Sequence, residues 1–253
     1  MKRLFYLLLV LLFAGCSSRP SQTFSVEVLN SYTPVKNQGK KQTCWVYAML
    51  AAIETEHIMR GDSVHLSVAW VEHVMAQEKE MPESMRGMGA TLLQLIQRYG
   101  VVPYDAMKTA DDIPPKHAFM LGATYSPLEF AHSVCAPDEY IALTSNADEP
   151  YYQYIDINLP DNWLHNRFYN IPMDSLLAKT QRAVRQHHGV CWESERHAMA
   201  IVGIGHNEKG APGFVMKNSW GSNRPNDGLD FLSFKSFTRK TLAVEMTREA
   251  YGQ

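Results

Sequence analysis

Four side chains able to carry acyl-transfer chemistry stand in chain order as Gln38, Cys44, His197 and Asn218. A free thiol titrates at about 8.5, so near neutral pH it needs help to become the thiolate that attacks a carbonyl. The chain offers that help twice. Val46, Met49, Leu50, Ile53 and Ile58 follow the cysteine at helical spacing and predict an amphipathic helix running from Cys44 to about Arg60. Cys44 then falls in the first turn, where unpaired N–H groups and the helix dipole favour an anion. His197 supplies the general base, and Asn218 can accept the other ring N–H through its side-chain carbonyl, fixing the tautomer and the ring's orientation. Gln38 brings an amide N–H that, with the backbone N–H of Cys44, would hold the oxyanion of a tetrahedral intermediate.

Taken singly, each residue has an ordinary structural explanation. A cysteine opening an apolar helix is commonly an inert core residue, and a histidine leading a buried strand is commonly a hydrogen-bonded core group. Asn218 and Gln38 also fit turns or loops. The argument rests on all four occurring together, each inside its own local pattern.

The elements that must position these residues read as helices first and strands later. Leu66 and Ser67 look like a cap ahead of a helix from Val68 to Gln77, and Ala90 to Tyr99 carries Leu92, Leu93, Leu95 and Ile96 before Gly100 and Pro103. Asp174 to His187 predicts another helix, closing near Gly189. Ala198 to Ile204, Gly213 to Lys217, Asp230 to Phe234 and Thr241 to Met246 read as strands. Met107 to Asn170, rich in Pro, Asp, Asn and Tyr, reads as surface loops that shape access to the site. The expected class is α+β in two lobes, a helical one with Cys44 and an antiparallel β-rich one with His197 and Asn218. The active site would lie in the cleft between them.

The words PVKNQG, TCW, HAMAIVGIG and KNSWG resemble, in order, the signature blocks of papain-like cysteine peptidases. LIQRYGVVP, YIALTS and NIPMDSLL are similar to segments of the bleomycin hydrolase and aminopeptidase branch, and the resemblance runs from about Tyr32 to Glu245. It implies the papain-like two-lobed fold, Cys44 as nucleophile, His197 as base and acid, Asn218 as orienter and Gln38 as oxyanion donor. Trp220 matches the tryptophan that shields the histidine and asparagine from water. Lys40 to Thr43 replace the family's structural cysteine and glycine, so the usual disulfide is not expected. Where a Gly-Gly pair normally meets the bound peptide the chain reads Arg86-Gly87-Met88-Gly89, which makes Gly87, Gly89 and Trp45 the substrate-binding expectations. The branch implies an aminopeptidase; an endopeptidase of the same fold and a catalytically silent peptide-binding protein stand as alternatives, with a cell-wall hydrolase or transglutaminase-like enzyme behind them.

Composition is compatible with one enzyme-sized domain: 253 residues, 45% hydrophobic and 20% charged. A net charge of −2 from 24 basic and 26 acidic residues argues against nucleic acid as a partner. Lys2-Arg3 followed by the apolar stretch Leu4 to Ala14 reads as a signal peptide over residues 1 to 15. Ala14-Gly15-Cys16 resembles a bacterial lipoprotein cleavage site, which would leave Cys16 lipid-bearing at an envelope membrane; simple secretion is the competing reading. Residues 16 to 30 would then be anchor and tether, and 31 to 253 the peptidase domain. Export permits Cys135 and Cys191 to pair or to remain separate thiols. His57, His73, His187 and His188 lack tetrahedral ligand spacing and read as solvated helix-end residues, so neither a metal nor a cofactor is expected. Oligomeric state and natural peptide or protein substrate are left open.

Overall fold

The computed structural model describes residues 24–252. The signal peptide, most of the tether and Cys16 lie outside the described residues. Cys44–Met59 forms α1, Val68–Met75 α2 and Gly89–Tyr99 α3, and with Pro127–Val134 as α4 they make the helical lobe. Its core gathers Trp45, Leu50, Val71, Leu92 and Phe130. Ser67 caps α2 by accepting the Trp70 N–H (3.0 Å), as the sequence predicts.

A small hairpin, β2 Ala118–Met120 and β3 Ala123–Tyr125, packs against the helical lobe, and the other lobe is built on strands: β1 Phe24–Leu29, β4 Tyr140–Thr144, β5 Gln153–Asp156, β6 Arg167–Asn170, β7 Val190–Glu193, β8 Ala198–Asn207, β9 Pro212–Lys217, β10 Leu229–Ser233 and β11 Ala243–Thr247. Apart from the hairpin, these strands form a nine-stranded sheet in the order β10-β9-β8-β7-β11-β4-β6-β5, with β1 also on β8. Every pairing is antiparallel except β4 with β6. Three short helices, α5 Met173–Arg185, α6 Phe234–Lys240 and α7 Arg248–Tyr251, complete the lobe. Its core holds Leu176, Ile201, Phe214, Phe237 and Met246. The class is α+β, as the sequence indicates.

Several expectations change. Residues 24–29, placed within the tether, are β1, which pairs with the second half of β8 while β7 takes the first half. Gly205 makes this possible, since a Cβ there would lie 1.9 Å from the Ser25 carbonyl oxygen. The stretch from 107 to 170 holds a hairpin, α4 and three strands of the main sheet; strands of three to five residues are too short to show a period. The helix α1 is not amphipathic. It runs between the lobes and buries all its faces, including Glu54, Thr55, Glu56 and His57. Glu54, Glu56 and His57 are tolerated because they are partnered. Glu56 accepts from the Gly189 N–H (2.9 Å), Arg60 (2.8 Å) and His188 (3.0 Å), and His57 contacts the Val134 carbonyl (2.8 Å). His57 and His188 are therefore hydrogen-bonded interior groups, not solvated helix-end residues.

Candidate active site

Cys44 begins α1, and the N-cap Thr43 makes no side-chain capping bond, so no cap takes the Cys44 and Trp45 N–H groups at the helix start. His197 faces it from the turn between β7 and β8. That turn is short because Ser194 closes it: its N–H and hydroxyl both donate to the His197 carbonyl (2.9 Å each), and its oxygen accepts the His197 N–H (3.1 Å). Cys44, His197, Gln38, Trp45, Gly87 and Trp220 all line one cleft of about 190 Å³ between the lobes.

The imidazole is held by a chain of hydrogen bonds. His197 Nε2 donates to Asn218 Oδ1 (2.8 Å), and Asn218 Nδ2 donates to Asp230 Oδ2 (2.5 Å). The Ser219 N–H (2.7 Å) also donates to Asn218 Oδ1, so that the amide cannot flip. This geometry leaves Nδ1 as the ring nitrogen free to exchange a proton with the thiol. Trp220 stacks on the imidazole at 4.7 Å with planes 20° apart, and the Arg224 guanidinium lies 4.8 Å from the indole. Although the tryptophan is 40% exposed, its ring keeps water from one face of the histidine.

Burial works against the charged pair at both ends. It pushes the Cys44 thiol up, partly offset by backbone hydrogen bonds from Ala198 and Trp45, while Glu193 adds to the rise and Arg86 opposes it. Burial likewise lowers His197, opposed by Asn218 and the charge of Asp230. The desolvated site therefore favours neutral thiol and imidazole, and proton transfer depends on groups already aimed at the charges: the α1 N-terminus at sulfur, and Asn218 with Asp230 at the ring.

Gln38 is anchored to the same segment. Its N–H donates to the Ser219 carbonyl (2.8 Å), its Oε1 accepts from the Ser219 hydroxyl (2.5 Å) and its Nε2 donates to the Lys41 carbonyl (2.6 Å). One amide hydrogen is thus committed and the second is left for the cleft. Trp45 is buried, and its Nε1 donates to the Met85 carbonyl (3.0 Å), while Trp163 Nε1 donates to that of Arg86 (3.0 Å). The two indoles pin the segment that presents Gly87, where a Cβ would meet the Trp45 ring at 2.7 Å. Gly89 does not reach the cleft. It starts α3, buried over Glu245 and Cys191, because the helix turns it inward. Cys135 and Cys191 are separate buried thiols.

Three participants were missed. Asp230 sits on β10 and reaches Asn218 only through the β9–β10 pairing. Arg86, held by Asp161 (2.7 Å), brings positive charge to the thiol's side of the cleft. Glu193 lines the cleft from the end of β7, and together with Glu245 and Cys191 it forms a cluster whose ligand atoms lie within 4.8 Å of one another. No local pattern announces these residues.

A family model described as papain family cysteine protease matches residues 22–246. The chain belongs to that family. Among its relatives, a viral cathepsin of Spodoptera litura multicapsid nucleopolyhedrovirus is 26% identical over 226 residues, 85% of this chain and 58% of the relative. Ananain of Ananas comosus is 25% identical over 195 residues, 75% of this chain and 49% of the relative. The chain spans about half the length of the curated relatives it matches. A crystal structure of PepW from Lactobacillus rhamnosis HN001 superposes with a TM-score of 0.67 at 16% identity, covering 91% of this chain and 83% of that one, which shows the shared fold.

Proposed function

We propose that this papain-family chain hydrolyses peptide bonds through a Cys44 acyl-enzyme. The observation that carries the reading is the His197 Nε2 to Asn218 Oδ1 bond of 2.8 Å, which frees Nδ1 toward the cleft that Cys44 shares. Nδ1 takes the thiol proton and the sulfur attacks the substrate carbonyl carbon, whose oxygen becomes an anion held at the α1 N-terminus and by the uncommitted Gln38 N–H. His197 returns the proton to the leaving nitrogen as the C–N bond breaks. Water then gives a proton to His197 and attacks the thioester, and the released thiolate regains its proton.

The specificity proposed is aminopeptidase-like, on the resemblance of LIQRYGVVP, YIALTS and NIPMDSLL to the bleomycin hydrolase branch. Lipidation of Cys16 at a bacterial envelope membrane is proposed on the signal-like segment alone. Mass spectrometry after treatment with the thiol inactivator E-64 is expected to show one adduct, on Cys44. Cys44→Ala is expected to lower peptide turnover by at least about a thousandfold. Cleavage confined to peptides with a free amino terminus supports the aminopeptidase; cleavage of blocked peptides assigns an endopeptidase. Folded, reduced protein with neither adduct nor turnover overturns the hydrolytic reading.

A further inference from the structure

Strand geometry gathers one thiol and two carboxyls that the hydrolytic steps do not use. Cys191 and Glu193 are two residues apart on β7 and so face the same side of the sheet, and Glu245 on β11 lies directly opposite Cys191. The Cys191 thiol and one oxygen of each carboxyl all fall within 4.8 Å of one another. Cys191 and Glu245 are fully buried, and Glu193 is 3% exposed.

The start of α3 closes the cluster without filling it. The Gly89 N–H donates to Glu193 Oε1 (2.7 Å), and a Cβ on Gly89 would lie 2.8 Å from Glu245 Oε2 and 3.3 Å from Cys191 Sγ. A helix start favours anions, yet Glu193 Oε2 and both oxygens of Glu245 are left without a hydrogen bond of ordinary geometry. Neither acid is paired with a lysine or arginine among the described residues. Buried carboxyls in that condition are costly, and a fold that only had to be stable would place apolar side chains here.

The donor set selects the kind of cation that would relieve the cost. A thiolate with two carboxylates suits a borderline-soft dication such as zinc, with bonds of about 2.3 Å to sulfur and about 2.1 Å to oxygen. Calcium and magnesium, which take about six or more oxygens, are disfavoured by the sulfur. Ligands around a tetrahedral zinc stand about 3.5 Å apart, so side-chain torsions need to draw the three together by about 1 Å. Of the three only Glu193 lines the cleft, so an ion enters past its carboxyl.

We propose that Cys191, Glu193 and Glu245 form a binding site for a zinc-type divalent cation, separate from Cys44 and His197. The sulfur–metal bond replaces the Cys191 S–H bond, whose proton leaves to solvent, and the acids bind as carboxylates. The third ligand comes from a strand far along the chain, so the histidine spacing that argued against a metal does not test this site.

The test uses the full chain, reduced and then alkylated with iodoacetamide in the native state so that Cys44 cannot ligate, with Cys191 confirmed unmodified by mass spectrometry. Cobalt(II) alone is expected to bind at one equivalent with a sulfur-to-cobalt charge-transfer band, and zinc(II) to bleach that band by displacement. Cys191→Ala is expected to abolish the band and Cys135→Ala to keep it. Glu245→Gln, which preserves shape and so keeps the test valid if Cys191→Ala does not fold, is expected to weaken zinc at least about tenfold in competition with a chromophoric chelator. Zinc is also expected to raise the melting temperature of the alkylated protein and to lose that effect in Glu245→Gln. Absence of the charge-transfer band in the alkylated protein overturns the inference, as does a band that survives Cys191→Ala or is lost in Cys135→Ala. Equal zinc affinity in wild type and Glu245→Gln overturns it as well.

Discussion

Two buried acidic sites flank the catalytic cleft, and the chain treats them in opposite ways. Glu54, on α1, accepts from the Leu66 N–H (2.7 Å), from Lys36 (3.2 Å) and from the Thr33 hydroxyl, and Lys217 lies 3.9 Å away while donating to Thr33 (2.7 Å). Both of its oxygens are engaged and its positive charges come from the chain itself. Glu193 and Glu245 have no salt bridge among the described residues, and the groups against Glu245 are the Cys191 thiol and Glu193 itself. The difference follows from position. Glu54 ties α1 to β9, and because Lys217 immediately precedes Asn218, this brace places the asparagine that orients His197. In the second site only Glu193 lines the cleft, and burial pushes both acids well above the usual carboxylate range with no lysine or arginine paired to them among the described residues.

The comparison can be broken at several points. Glu54→Ala should have the largest effect, destabilising the fold by about 3–5 kcal/mol in urea unfolding, because it strands a nearly buried Lys217. A loss below about 1 kcal/mol would place the Glu54 site with ordinary surface pairs. Asn218→Ala should lower kcat/KM roughly a hundredfold at unchanged fold stability, with Asp230→Asn nearer tenfold, since the aspartate acts through the asparagine. Equal losses for the two variants would show Asp230 acting directly on the ring.

The two sites should also respond oppositely to pH. Glu245 is raised to about 8 from 4.5, chiefly by burial, so the folded state holds the extra proton between those values. Its stabilising contribution is full below about 4.5 and is lost as pH rises through about 8. Lys217 is lowered by burial from 10.5 to about 8, so the unfolded chain binds the proton more tightly and stability from this group rises as pH climbs from 8 to 10.5. Thermal melts should therefore flatten in the first window for Glu245→Gln and in the second for Lys217→Met. A Glu245→Gln protein with the wild-type slope would show that Glu245 ionises freely. Gly87→Ala should give the smallest change, about 1 kcal/mol, as its Cβ displaces the Trp45 ring; a wild-type melting temperature would show that the segment shifts without resistance.

Cys44, His197, Asn218 and Gln38 were legible because each lies in a short word whose backbone does a local job: a helix start, a strand entrance, a turn after a strand. The strand from Ala198 and the helices at 68 and 89 were legible through their periods. α1 misled because its apolar spacing describes one face only, and a helix with Glu54 and Glu56 looks half-solvated until partners from three other elements are placed around it. Residues 107 to 170 misled because β4, β5 and β6 owe their existence to neighbours distant in sequence. Gly89 was expected at the cleft from the resemblance of Arg86-Gly87-Met88-Gly89 to the family's Gly-Gly pair, and the orientation of α3 turned it toward Glu245 instead.

By itself the sequence picked out the thiol, imidazole and amide proposed as nucleophile, base and orienter, and the α+β class, since these depend on residue type and on patterns within a few turns or strands. Tertiary structure alone decided that Asp230 stands behind Asn218, that Arg86 faces the thiol's side of the cleft, and that Glu193 and Glu245 meet beside Cys191. Those relations are set by strand register and lobe packing, which join residues 12 to 52 positions apart, and no local pattern encodes such a distance.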